Sequence, residues 1–237
     1  MMDVPTPDSF SANLRAVRER IARAAERAGR AAEEVRILAV TKTFPEQAVR
    51  VALEAGQRLF GENRVQEAAA KYGGLKDSVE LHLIGHLQRN KARKAAELFH
   101  AVQSIDKVET AVALEQACAA AQKRMDVLLE LNTSGETTKF GFADEEALRA
   151  SIEPILDLPH LRLRGLMTVG PLTDEPLRIR AAFRRLRELH LRLEAEYPEV
   201  PLDILSMGMS ADFEAAVEEG STLVRLGTVL FGPRGGR

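Results

Sequence analysis

The sequence predicts a single (β/α)8 barrel with one extra helix at its N-terminus. Eight short apolar runs alternate with helical patterns, in one series that starts at Val35 and continues to the C-terminus, which argues for parallel strands joined by helical crossovers. The chain has 237 residues, a length that one α/β barrel of roughly 200–250 residues accounts for. An open doubly wound sheet is the alternative, but no Gly-x-Gly-x-x-Gly follows the first run, which weighs against its dinucleotide-binding form.

The extra helix is expected over Ser9 to Arg30, where Phe10, Leu14, Val17, Ile21 and Ala24 fall near one stripe and Ser11 or Asp8 could cap it. The first strand is Val35 to Val40, and the helix after it begins past Pro45, which suits a first-turn proline. The second is Arg58-Leu59-Phe60 with a helix from about Arg64, the third Glu80 to Ile84 with a helix from about Leu87. The fourth is Ala101 to Ile105 with a helix over Val108 to Gln122, the fifth Val127 to Leu131 with a helix from Asp144. The sixth is Leu161 to Met167 with a long helix from about Glu175 to Glu196. The seventh is Leu202 to Leu205 with a helix over Asp212 to Glu219, and the eighth Leu223 to Leu226. Gly73-Gly74 and the Gly135 region read as loops, so residues 1–237 are expected to form one domain. Eight such strands can close on themselves as a TIM-type barrel, which removes exposed sheet edges.

With 45% hydrophobic and 29% charged residues, the chain has the composition of a globular protein. A net charge of −2 supplies no general grip on nucleic acid, so no nucleic-acid partner is expected. No run of about 18 apolar residues exists, so no membrane span is expected. Met1-Met2-Asp3-Val4-Pro5 lacks the basic and apolar regions of a signal peptide. The lone Cys118 excludes an internal disulfide and fits a reducing compartment, so a cytoplasmic location is expected, with Cys118 in a packing role.

Barrel sites form where strands end and loops begin. Lys42 ends the first strand within Thr41-Lys42-Thr43. Desolvation there would lower its pKa and make the amine a Schiff-base nucleophile, although from position alone a lysine snorkelling to water is an equal reading. After the seventh strand comes Ser206-Met207-Gly208-Met209-Ser210, leading straight into a helix, and after the eighth Gly227-Thr228. Backbone amides and hydroxyls there can hold an anion, and barrels often bind phosphate at these two loops; the plainer reading is that the glycines only make turns. Arg225 lies inside the last strand, where a buried guanidinium needs an acceptor. That acceptor is either a neighbouring carboxylate or a heteroaromatic nitrogen, which a permanently protonated arginine would keep unprotonated. A lysine amine, a phosphate cradle and a ring-facing arginine together point to pyridoxal 5′-phosphate, PLP.

These residues resemble the pyridoxal phosphate homeostasis protein family, also called the proline synthetase co-transcribed type. The matching segments are Ala39-Val40-Thr41-Lys42-Thr43, Gly61-Glu62-Asn63 and Ile84-Gly85-His86-Leu87-Gln88-Arg89-Asn90-Lys91. They continue through Lys139-Phe140-Gly141, Gly165-Leu166-Met167 and Ser206-Met207-Gly208-Met209-Ser210-Ala211-Asp212-Phe213 to Val224-Arg225-Leu226-Gly227-Thr228 and Phe231-Gly232-Pro233-Arg234. The resemblance implies a barrel like the N-terminal domain of alanine racemase and a PLP imine on Lys42. It also implies Asn63 near the cofactor ring, Arg225 facing the pyridine nitrogen, and Ser206, Gly208, Ser210, Gly227 and Thr228 around the phosphate. The implied role is a carrier and buffer of PLP that influences amino-acid and keto-acid balance, with apo PLP-dependent enzymes as candidate recipients. The chain departs from the family pattern in having Arg64 after Gly-Glu-Asn, where an aromatic is common, and Leu81-His82-Leu83-Ile84-Gly85 where Trp-His-Phe-Ile-Gly is common.

An amino-acid racemase on the same barrel is the alternative. It needs a base on each face of the PLP plane, and in that relative the second base is a tyrosine of an added C-terminal domain. This sequence ends a few residues past the last strand, and Tyr72 and Tyr197 fall on or just after helices, so a carrier is expected over an enzyme. A PLP-independent phosphate-binding barrel enzyme would share the cradle but give Lys42 no required role. No metal is expected: His82 and His86 are four apart on a strand and its loop, not on one helix face. Lys139 is held as a candidate for transient PLP contact.

Overall fold

The computed structural model describes residues 4–136 and 139–233. Met1, Met2 and Asp3 of the N-terminus and Arg234 of the last motif lie outside the described residues. All eight expected strands form: β1 (Arg36–Val40), β2 (Leu59–Glu62), β3 (Glu80–Leu83), β4 (Ala101–Ile105), β5 (Met125–Glu130), β6 (Leu161–Met167), β7 (Ile204–Ser206) and β8 (Leu223–Leu226). They run parallel and close in chain order, β1 pairing with β8 through Arg36 opposite Leu223 and Leu38 opposite Arg225. Closure settles the choice between barrel and open sheet.

The helices are α1 (Pro7–Arg27), α2 (Glu46–Glu54), α3 (Val65–Tyr72), α4 (Ala92–Leu98), α5 (Val108–Ala120), α6 (Glu145–Ala150), α7 (Ile152–Leu156), α8 (Pro176–Glu196), α9 (Phe213–Glu218) and α10 (Thr228–Phe231). Side chains alternate across each strand. The outward set, including Ala39, Phe60, Leu83, Val102, Leu129 and Val224, joins the helices in the main core. The inward set divides in two. Leu38, Val40, Leu59 and Leu223 make a small apolar plug. His82, Gln103, Ser206 and Arg225 bond to one another; Ser206 on β7 reaches Gln103 on β4, a contact between non-adjacent strands that crosses the interior.

The outer layer is thin where α9 and α10 are short, and α1 covers that gap. Phe10, Leu14, Val17 and Ile21 are its buried stripe. Phe10 packs on Phe231 with ring centroids 5.1 Å apart, Asn13 Nδ2 donates to Leu230 O, and Arg20 pairs with Glu214. The expected cap at Ser11 or Asp8 is corrected: Thr6 is the N-cap, its hydroxyl accepting from Ser9 N at 3.2 Å, with Pro7 at the first helical position, where proline loses no hydrogen bond.

Other boundaries shift for local reasons. The helix expected from Leu87 begins as a 3-10 turn at Arg89–Lys91 and becomes α-helical at Ala92. The helix expected from Asp144 is two helices: Asp144 caps α6, whose end at Ala150 is followed by Pro154, which has no amide hydrogen to give the Ala150 carbonyl. β7 lies further along than Leu202 to Leu205 and includes Ser206. That puts Ser206 in register with Ile204 on the inward face instead of in the loop. Among the described residues no helix is long and apolar enough to cross a membrane.

Close backbone approaches at the C-terminal mouth require glycine. A Cβ on Gly85 would lie 2.3 Å from Asn63 O and 2.9 Å from Asn63 Cα, both backbone atoms that cannot swing aside. Gly85→Ala is therefore expected to cost about 2 kcal/mol, lowering Tm by roughly 4–8 °C in a chain of this size. Gly74→Ala meets nothing within 4 Å and is expected to leave Tm within about 2 °C; thermal melts of the two variants check the contrast.

Candidate functional site

The mouth is built from the loops that follow the strands. Lys42 comes two residues after the inward Val40, so strand alternation aims it into the mouth. The chain then turns back at once: Phe44 N donates to Thr41 O, and Thr43 has φ of +70°. This places Lys42 at the second corner of a tight turn and a β-branched residue where glycine or asparagine is favoured. Such local strain persists when the surroundings hold it.

What holds it is a buried network behind the turn. Thr41 Oγ1 donates to Glu62 Oε1 at 2.6 Å and so must accept from the Tyr72 hydroxyl, also at 2.6 Å. Lys71 Nζ donates to Thr41 O and to Glu62 Oε1, both at 2.6 Å. Burial raises the Glu62 carboxyl above its ordinary range, opposed by the Lys71 charge. Burial likewise raises the Tyr72 hydroxyl far above its usual value, with the Glu62 charge adding to the effect. Sequence reasoning placed Tyr72 on a helix but missed that α3 aims its hydroxyl back at the end of β1. A lysine and a tyrosine side by side at the end of a short helix were the available signal.

Asn63 follows β2 directly and is partly buried, its backbone lodged against Gly85. It lines a mouth cavity of about 680 Å³ with Ile84, His86, Glu130 and Phe140, a size in the range of small-molecule sites. His86 stacks on Phe140, centroids 4.3 Å apart and 13° from parallel, which ties the β3 loop to the β5 loop. His82 is far from this pair in role: it sits inside the barrel between Glu80 and Gln103. Among the described residues no three His, Cys, Asp or Glu side chains are grouped to hold a metal ion. Lys139 Nζ is held by Gly170 O at 2.8 Å and Glu136 Oε1 at 2.9 Å.

The loops after β7 and β8 come together. Gly208 has φ of +94°, and a Cβ there would lie 2.5 Å from Ala216 Cβ, so only glycine lets this loop bend onto α9. Gly208 O accepts from Arg225 N. Ser210 Oγ accepts from Gly227 N at 3.3 Å and Val229 N at 3.4 Å, long for such bonds, so these amides can turn to a stronger acceptor. Thr228 is exposed at the start of α10. Gly208, Ser210, Gly227 and Thr228 are thus gathered at one place. Ser206 is not among them in the same sense: its hydroxyl is fully buried, accepts from Arg225 Nη1 at 2.7 Å and lies 2.6 Å from Gln103 Oε1. It serves the arginine below the rim.

Arg225 is 4% exposed. Its Nη2 donates to Thr168 O at 2.7 Å. Burial lowers it to about 10, while the charges of Glu130 and Asp212 oppose the shift, so it is cationic at neutral pH. Sequence reasoning offered a neighbouring carboxylate as one possible acceptor; its hydrogen bonds instead go to a hydroxyl and a carbonyl. Glu130, at the end of β5 and 6% exposed, was missed. A carboxylate inside the apolar run Val127 to Leu131 was the signal. Burial raises it to about 7, the Arg225 charge working against the shift.

With this geometry in view, the family model described as alanine racemase, N-terminal domain, matches residues 12–235. A pyridoxal phosphate homeostasis protein of Pseudomonas aeruginosa is 47% identical over 227 residues, covering 95% of this chain and 96% of that one. The chain belongs to the pyridoxal phosphate homeostasis protein family. A family member from Aquifex aeolicus is 43% identical over 222 residues, 93% of this chain and 96% of that one. Among solved structures, PipY of Synechococcus elongatus with PLP bound aligns with a TM-score of 0.82 at 36% identity, covering 94% of this chain and all of that one (100%). Within this fold, Lys42, Asn63, Gly208, Ser210 and Gly227 follow the C-terminal ends of their strands, Thr228 opens α10, and Ser206 and Arg225 lie within β7 and β8.

Glu130 makes the site pH-sensitive. Its folded carboxyl holds a proton more tightly than the unfolded one, whose ordinary value is 4.5. Stability is therefore expected to fall as pH rises from about 4.5 to about 7, by up to roughly 3 kcal/mol. Urea unfolding at pH 5 and pH 8 is expected to show this loss in the wild type and a flatter profile in Glu130→Gln.

Proposed function

We propose that the chain binds pyridoxal 5′-phosphate at the barrel mouth, covalently on Lys42, and carries and buffers the cofactor. When bound, PLP supplies an aldehyde, a phosphate dianion and an electron-accepting pyridine ring. Lys42 presents the amine that condenses with the aldehyde. The amides of Gly227 and Val229, now weakly engaged by Ser210, face the anionic group with Gly208 and Thr228. Arg225 offers a permanent donor to the ring nitrogen and so keeps that nitrogen unprotonated, which weakens the ring as an electron sink. Asn63, in the loop after β2, would help hold the ring. The observation that carries the reading is the placement of Lys42 on a tight turn at the inward end of β1, paired through the barrel with β8 and its buried Arg225. PLP in the related PipY structure supports it.

Carriage in place of turnover has support in the tyrosines. Racemisation needs a second base facing the first. Tyr72 has its hydroxyl buried and bonded to Thr41. Tyr197 follows the C-terminal end of α8, which returns the chain to the end of the barrel opposite the mouth. A cytoplasmic carrier that hands PLP to apo-enzymes, and so affects amino-acid and keto-acid balance, follows as the biological reading.

The test is borohydride reduction of PLP-loaded protein followed by peptide mapping. The pyridoxyl group is expected on Lys42, and Lys42→Ala is expected to lose the absorbance band of the bound cofactor while folding as the wild type does. Label absent from Lys42 in the wild type would sink the proposal, and racemisation of amino acids at ordinary enzyme rates would replace carrier with enzyme.

A further inference from the structure

The inward side chains of four strands form one continuous hydrogen-bonded line along the barrel. From the mouth downward the distances are 2.7 Å from Arg225 Nη1 to Ser206 Oγ, 2.6 Å from Ser206 Oγ to Gln103 Oε1, 2.8 Å from Gln103 Nε2 to His82 Nδ1, and 2.9 Å from His82 Nε2 to Glu80 Oε1. The line ends at the opposite face of the barrel, where Glu80 Oε2 pairs with Arg36 at 2.6 Å. Gln103 and Ser206 are fully buried and His82 is nearly so.

Chemistry gives this line a direction. A guanidinium only donates, so Ser206 accepts from Arg225 and spends its own hydrogen on Gln103. The Gln103 atom facing Ser206 is therefore its oxygen, and its amide nitrogen faces His82. His82 Nδ1 then accepts, and its Nε2 carries the hydrogen that faces Glu80. Every bond points from the arginine to the carboxylate. The bond from His82 is also the main cause that holds the Glu80 carboxyl down at about 2. No link can reverse alone without setting two donors or two acceptors face to face in a buried space.

We propose that Gln103 and His82 are positioning residues for Arg225, locking its guanidinium through Ser206 so that a donor stays aimed at the ligand ring in the mouth. Neither residue reaches the mouth itself; each acts through the next. The proposal rests on the reading that PLP lies over Arg225. It adds that retention and spectroscopic state of the cofactor are set by side chains from β3 and β4 at the heart of the barrel. Thr168 O fixes the other arm of the guanidinium, so loss of the line frees one arm and leaves the second held.

The experiment uses the full chain loaded with PLP. Gln103→Leu keeps similar volume and removes both bonds. It is expected to release PLP about tenfold faster, the scale of one lost orienting hydrogen bond, and to shift the absorbance bands of the bound cofactor and their pH titration. Gln103→Glu, which keeps an acceptor for Ser206 and draws a hydrogen onto His82 Nδ1 to meet its other oxygen, is expected to bring release back to within about threefold of wild type. Trapping on Lys42 by borohydride is expected in all three proteins. If Gln103→Leu traps PLP on Lys42 yet keeps the wild-type spectrum and release rate, the positioning role is wrong. If the wild type itself fails to trap PLP on Lys42, the binding reading fails instead. Should Gln103→Leu not fold, nitrogen-15 shifts of His82 in the wild type decide: hydrogen on Nε2 is expected, and hydrogen on Nδ1 overturns the directed line.

Discussion

A guanidinium buried in a closed barrel is the constraint on which the site depends. Arg225 cannot shed its charge at neutral pH, and an unpartnered charge in that interior would cost several kcal/mol. Its two arms must each meet an acceptor, and the fold supplies Ser206 from β7 and the Thr168 carbonyl from the end of β6. Meeting that demand fixes the polar half of the interior: a serine where an aliphatic residue could pack, a glutamine on β4, a histidine on β3. The apolar plug of Leu38, Val40, Leu59 and Leu223 fills the rest. The arginine thus reads as a keystone that divides the barrel into a dry section and a hydrogen-bonded one.

The two ends of the sheet closure meet the ligand site from different sides. β1 contributes a lysine on a strained turn, held by the Thr41, Glu62, Lys71 and Tyr72 network, and β8 contributes the arginine and the glycine after it. Because these strands are neighbours only when the barrel closes, the site exists only in the finished fold. Glu130 then adds a carboxyl whose burial couples the charge state of the mouth to solution pH.

The strand count and the mouth residues were legible in the sequence because period and punctuation carry them. Ala101 to Ile105, Leu161 to Met167 and Leu223 to Leu226 are apolar runs with clear ends, and they form strands with those bounds. Lys42 and the glycine-bearing loops stood out as polar residues just after such runs. Ser206 was misplaced because β7 is a three-residue strand whose polar last member reads as loop. The role of Gln103 was hidden for a different reason. Its partners lie on β3 and β7, and nothing local in Ala101 to Ile105 announces a contact 103 positions away. The Thr6 cap shows a smaller failure, in which several capping residues stood in a row and only the approach of the chain to Pro7 chose between them.

The placement of α1 bears on how the molecule is made. This helix precedes the barrel in the chain, yet its Asn13 bonds to Leu230, 217 positions later, and its Phe10 packs on Phe231. Its stripe touches α2 early in the chain, but its main cover, α9 and α10, comes from the end of the barrel. Until α9 and α10 are made, a growing chain therefore carries this greasy stripe only partly sheathed, and those two short helices act as its latch.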